Sequence, residues 1–328
     1  MSLDTAEIKK RINDSYELPN TVLENVPDPV VTVRIYTYQH GPYIRDCIEG
    51  VLAQRTTYPF ECIIGEDFST DGTREIVFEY ARRFPHIIRV ITADYNVGGK
   101  ANVRRCAERT RGKYVALCEG DDYWISPLKL QRQVELMEAS PDVSFCFHNA
   151  FIIHVDTAGT LLYYPTAIKP RLNFAEAAQI STPTGSVLAR NDVLATLPEW
   201  RDKVIWQDLL FRLWCAHQGK LAYVDAVMSV YRIHGTSMSA NALRSRQTTY
   251  ENEAFLYEQL DKETNYEYTA VLQTQLQRVE ANTRHHQLGK LYYLLHPQKA
   301  IQEAWRYVTV LQRIRSVIFY GHQNRAVR

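Results

Sequence analysis

"KYVALCEGDDYWISP", residues 113–127, sets an apolar run, Tyr114 to Cys118, directly before three acids, Glu119, Asp121 and Asp122. The run reads as a buried strand. Carboxylates gathered at its end repel one another and are costly to bury without partners. A solvated turn capping the next helix accommodates two aspartates. So does a site for phosphates and a divalent cation, because carboxylate oxygens suit hard ions such as Mg2+ or Mn2+.

The chain upstream repeats the arrangement. "PVVTVRIYTYQH" (29–40), "FECIIGED" (60–67) and "HIIRVITA" (86–93) are further apolar, β-branched runs. Between them, Ile44, Cys47, Ile48, Val51 and Leu52, and then Ile76, Val77, Tyr80, Ala81 and Phe84, fall at helical spacing. Strand alternating with helix implies a parallel sheet covered on both faces. Right-handed crossovers carry the strand ends to one edge, where ligands of such sheets bind. Thr37-Tyr38-Gln39, Glu66-Asp67 and Asp121-Asp122 are expected to converge there. The fold class is therefore α/β: a Rossmann-like, mostly parallel central sheet flanked by helices. From about residue 241 the pattern is helical, giving a C-terminal helical appendage.

Composition narrows the function. Hydrophobic residues make up 45% of 328, enough for a large core, and the formal net charge is +1. A whole-chain nucleic-acid footprint is not expected. Six cysteines without a CxxC pair read as reduced core thiols. "MSLDTAEIKK" has no apolar signal region, and no run approaches the ~18 apolar residues of a membrane span. The expected location is cytoplasmic, with peripheral contact at the inner face of a membrane as an extension. That contact would fall to the C-terminal segment, where Arg306, Arg313, Arg315, Arg325 and Arg328 are interleaved with Trp305, Tyr307, Leu311, Ile314 and Phe319. Packing on the main domain, or across a homodimer, is the other use of such helices.

Several polar positions stand out. Asp67 ends a strand and could accept from a base edge or ribose. "NVGGKAN" (96–102) could approach phosphates through its amides and Lys100, but it matches neither a dinucleotide fingerprint nor a P-loop. Asp71 and Thr73 read as helix-cap residues. Asp208 opens an amphipathic helix in "VIWQDLLFRLWCAHQG", where it could serve as its N-cap. His234 ends a strand and is either a turn residue or a ligand.

In the order "VTVRIYTYQHGPYI", "GEDFSTDGT", "NVGG" and "GKYVALCEGDDYWISPLKLQRQ", the chain resembles the inverting family 2 glycosyltransferases of the GT-A fold. The likeness is strong over 29 to about 140. It continues through "TGSVLARND", "WQDLLFRL" and "VYRIHGTSMS" to about 240. It implies an N-terminal extension (1–27), a catalytic domain (28–240) with a nucleotide-binding half (28–125) and an acceptor-binding half (126–240), and a helical C-terminal region (241–328).

Residue by residue, the resemblance implies that Tyr38 and Asp67 receive the nucleotide base, with Lys100 and Asn102 on the donor. It assigns Asp121 to the ribose side and Asp122 to the metal, with His234 approaching the metal or diphosphate. Asp208 is similar to the catalytic base, and Gly185 and Ser186 lie on the acceptor side. The implied cofactor is Mn2+ or Mg2+. The implied partners are a nucleotide-sugar donor and a saccharide or lipid-linked acceptor, with no nucleic acid. Departures are Glu66-Asp67 in place of two aspartates, "KANVRRCAE" in place of the family's usual helix, and Gln207 in place of an acid before Asp208. A nucleotidyltransferase would carry a glycine-rich phosphate loop near its N-terminus, which "VRIYTYQHGPYI" lacks. A non-catalytic glycan- or nucleotide-binding relative is disfavoured because Asp67, Asp121, Asp122 and Asp208 are all present.

Overall fold

The computed structural model describes residues 5–22, 28–155, 159–235 and 246–295. The chain forms two compact units, 1–276 and 277–328. In chain order the first half contains α1 (Thr5–Asn13), β1 (Tyr16–Glu17), β2 (Val31–Thr37), α2 (Ile44–Leu52), β3 (Phe60–Glu66), α3 (Thr73–Arg83), β4 (Ile88–Thr92), α4 (Gly99–Glu108) and β5 (Tyr114–Glu119). Then follow β6 (Tyr123–Trp124), α5 (Lys129–Glu138), β7 (Val143–His154), β8 (Gly159–Leu162), β9 (Arg171–Leu172), α6 (Phe174–Ala177), β10 (Leu188–Arg190), α7 (Asn191–Ala195), α8 (Gln207–Gln218) and β11 (Lys220–Ile233). Two helices close the described chain, α9 (Arg246–Glu263) and α10 (Thr269–Leu295).

One sheet holds the strands in the order β1-β4-β3-β2-β5-β10-β7-β11-β6. The block β4-β3-β2-β5 is parallel throughout, as the strand–helix alternation requires. The short β10 joins β5 to β7 antiparallel to both, and β7 pairs with β11 in parallel. The alternation of β2 separates two kinds of interior. Val31, Val33 and Ile35 join a core with Ile44, Ile48, Val51 and Val77. On the other face, Thr32 donates to Glu61 (2.7 Å), and Glu61 also takes Arg89 (3.0 Å) and Arg111 (2.6 Å). All seven residues of β2 are buried, so the strand reads as a continuous run although one face is polar.

β6 follows the acidic turn at once and pairs antiparallel with β11, Trp124 opposite Ser229 and Tyr123 opposite Val230. The carboxyl end of β5 is thereby tied to the far end of β11. The six cysteines are buried and free, as expected of core thiols. No helix among the described residues is long and apolar enough to cross a membrane. The basic, apolar segment around Trp305–Arg328 lies outside the described residues.

Candidate active site

Gly120 lets the acidic turn pass close to the end of β2. A Cβ there would meet His40 Nδ1 and Thr37 Oγ1, each at 2.7 Å, so a side chain would force the turn off the sheet edge. Beyond the glycine the two aspartates part. Asp122 points inward, 1% exposed, and its Oδ1 accepts the Arg232 amide (2.8 Å). Asp121 stays half-buried, and its Oδ2 meets His234 Nε2 at 3.0 Å and lies 3.9 Å from His40 Nε2. His234, expected beside a metal with Asp122, meets Asp121 here.

Arg232 clamps the arrangement. Its guanidinium donates to the Asp121 carbonyl (3.0 Å) and to Asp46, and it lies over the rings of Tyr123 (4.2 Å) and Tyr43 (5.3 Å). The Tyr43 ring also packs on His234, with centroids 4.8 Å apart. Three groups here had no assigned role in the sequence: Arg232, His40 and Glu119. A signal for Arg232 existed, since it stands two residues before His234 and strand alternation puts both on one side.

Charge is crowded at this edge. Burial first, then Asp121 and Asp208, pushes the Glu119 carboxyl up to about 8. Burial and the neighbouring Asp121 and Glu119 raise Asp122 well above the carboxylate range, while the Arg232 amide and charge oppose the rise. Burial lowers His40, partly offset by Asp121. Acids held up by one another are a set that a bound cation relaxes. Among the described residues, no group of three or more His, Cys, Asp or Glu side chains is arranged to hold a metal ion.

Asp208 is the second residue of α8, whose N-cap is Trp206, so it does not occupy the cap position. It is exposed, and its charge is felt at Glu119. Tyr38 follows β2 and is 46% exposed at the sheet edge. Asp67 is buried, and its two oxygens accept the amides of Val97 (2.7 Å) and Gly98 (3.0 Å). Gly98 has φ 87°, a conformation that favours glycine. As built, Asp67 therefore holds the glycine loop, with its carboxylate already engaged.

Lys100 and Asn102 also have partners within the framework. Lys100 Nζ donates to the Asp202 carbonyl (2.6 Å), and Asn102 spans the Gly65 carbonyl (2.9 Å) and Arg105 Nε (3.0 Å). Gly185 and Ser186 form a buried 3-10 turn. The Gly185 carbonyl accepts Trp124 Nε1 (2.8 Å), and Ser186 Oγ donates to Pro183 (2.7 Å). The indole after the acidic turn thus connects the donor-side acids to the loop expected on the acceptor side.

A family model described as glycosyl transferase family 2 matches residues 32–193. The chain is 34% identical over 224 residues to the uncharacterized protein Rv1520 of Mycobacterium tuberculosis, covering 66% of this chain and 62% of that protein. It therefore spans less than two thirds of that relative's length. It is 30% identical over 233 residues to the uncharacterized glycosyltransferase alr2836 of Nostoc, covering 66% of this chain and 69% of that protein. In fold it is similar to the mannosyltransferase PcManGT of Pyrobaculum calidifontis, solved with GDP-Man and Mn2+. The TM-score is 0.54 at 17% identity, over 89% of this chain and 88% of that one. With its acids at the carboxyl edge of a GT-A-like sheet, the chain belongs to glycosyl transferase family 2.

Proposed function

We propose that this chain transfers a sugar from a nucleotide-diphosphate sugar to a saccharide or lipid-linked saccharide acceptor, with inversion and with a divalent cation. The observation that carries the proposal is the gathering of Glu119, Asp121, Asp122 and His234 at one sheet edge within the electrostatic reach of Asp208. The cation, Mn2+ or Mg2+, would be held by Asp122 and His234 together with the donor's phosphate oxygens, with Asp121 on the ribose side. Its chemistry is to neutralise the diphosphate leaving group.

The protein's own groups do the rest. Asp208, as a carboxylate, takes the proton of the attacking acceptor hydroxyl. Displacement of the diphosphate from the opposite face inverts the anomeric carbon without a covalent intermediate. Tyr38 forms the exposed rim for the base, and Asp67 fixes the loop 97–98 beside it. Lys100 and Asn102 enter through that framework. Gly185 and Ser186, held by Trp124, border the acceptor. In this reading residues 28–240 carry both substrates, and the protein works in polysaccharide or glycoconjugate synthesis on the cytoplasmic side. The C-terminal helices provide membrane contact or a homodimer.

The test is release of nucleoside diphosphate from a panel of UDP-, dTDP- and GDP-sugars, with acceptor, in Mn2+ and in EDTA. Release from one donor, abolished by EDTA and restored by Mn2+, is expected. No release from any donor in Mn2+ would count against the transferase proposal. Release that is indifferent to EDTA would remove the cation from it.

A further inference from the structure

A pocket of about 310 Å3 lies between α4, α7 and the start of α8. It shares no lining residue with the acidic turn. Its charged wall is Arg34, Arg104 and Arg201 with one acid, Glu108, and its apolar wall includes Leu194, Leu197 and Phe211.

The three guanidiniums are unequally matched. Arg104 pairs with Asp202 (2.9 Å) and more loosely with Glu108 (3.7 Å). Arg34 gives Nε to the neutral hydroxyl of Thr110 (2.7 Å) and has no carboxylate within 4.0 Å among the described residues. The Arg201 guanidinium has neither a hydrogen bond nor an ion pair among the described residues. Its Nε is a buried donor without a partner, and so is Arg104 Nε. Burial and the nearby Arg104 press Arg201 below its ordinary pKa, with Arg34 adding to the effect and Asp202 and Glu108 opposing it from a distance. A half-buried guanidinium beside two like charges, with no carboxylate close enough to pair with it, keeps donors for a further anion.

We propose that this pocket binds a small organic phosphate monoester. Two guanidiniums lack a carboxylate, and a phosphate monoester carries about −1.5 to −2 near neutral pH. The planar fork of arginine matches phosphate oxygens. The volume exceeds what the phosphate alone fills, and the Leu194, Leu197 and Phe211 wall suits a compact apolar body. Gln207, which also lines the pocket, directly precedes Asp208 and donates to the Arg201 carbonyl (2.7 Å).

The test uses the full chain in chloride buffer with EDTA, which silences cation-dependent diphosphate binding and makes the outcome independent of the transferase proposal. Inorganic phosphate and phenyl phosphate are titrated by calorimetry, with melting temperature followed in parallel. Saturable binding of phenyl phosphate, tighter than that of inorganic phosphate, is expected. Arg201→Gln should weaken it about tenfold or more, the loss expected for one charge-assisted hydrogen bond. Ala107→Glu places a carboxylate on the pocket wall and should abolish it. Because the Arg201 guanidinium makes no hydrogen bond or ion pair among the described residues, the unliganded Arg201→Gln variant should melt no lower than the parent; a lower value would make Arg201 part of the framework and overturn the proposal. Absence of saturable binding, or binding unchanged in both variants, would overturn the site. Inorganic phosphate binding as tightly as phenyl phosphate would overturn the organic ligand class.

Discussion

Asp121 Oδ2 stands 3.0 Å from His234 Nε2, although 113 residues of chain separate them. The contact exists because β6 pairs with β11 directly after the acidic turn, and because the Asp122 carboxylate takes the amide of Arg232. Removing either partner should therefore harm the same step. Asp121→Asn and His234→Ala are each expected to lower nucleoside diphosphate release on the order of 100-fold. The double variant should lose little more than the worse single one, since the two side chains act as a unit. Fully multiplicative losses in the steady-state rates would show that they act separately.

Asp208 lies at the second position of α8, past the Trp206 cap. Its replacement should spare the helix and the donor site. Asp208→Asn is expected to lower kcat on the order of 10^2- to 10^4-fold, the range for loss of a general base. Donor binding, followed by thermal shift with Mn2+, should be unchanged. Full transfer activity in this variant would remove Asp208 from the base role.

Much of this edge was legible because parallel strands buried on both faces leave continuous apolar runs, and each run stops at its polar end. Thr37, Asp67 and Asp121 could thus be set on one edge from the sequence. Local pattern says little about which partner a side chain meets across the fold. Asp67 looked open to ligand, yet its oxygens are taken by amides 30 and 31 residues on. Lys100 looked like a phosphate ligand, yet its ammonium is bound to a carbonyl 102 residues away. Arg232 was overlooked because its partners come from far along the chain, Asp46 from the first turn of α2 and Asp121 and Asp122 from the acidic turn.

The double acceptance at Asp67 makes a stability prediction. In Asp67→Asn one oxygen becomes an amino group, so one of the two loop amides faces a donor. The expected loss is about 1–3 kcal/mol, the cost of a buried donor left unsatisfied. Urea unfolding at pH 7 measures it. Because the loop borders the base rim in the proposed site, donor affinity should fall as well. Unchanged stability together with weaker donor binding would instead mean that Asp67 touches the nucleotide itself.

Lys129 gives the clearest dependence on pH. The first residue of α5 is fully buried, with Nζ 4.1 Å from the Trp124 ring centroid, 2.7 Å from Gln133 Oε1 and 3.4 Å from the Val187 carbonyl. Burial lowers its pKa to about 7. In the unfolded chain a lysine titrates near 10.4, so between about pH 7 and 10 the unfolded state holds a proton that the folded state has released. Stability from this group therefore rises with pH across that window, by at most ~1.4 kcal/mol per pH unit. Below pH 7 both states are protonated and the full burial cost applies. Lys129→Met keeps most of the volume and removes the charge. Its stability gain over the parent should be largest at pH 6 and should shrink steadily towards pH 10. Urea titrations at pH 6, 8 and 9.5 measure the difference, in which groups common to both proteins cancel. A gap that stays constant with pH would mean that Lys129 keeps its proton in the fold, held by the Trp124 face and the two oxygens.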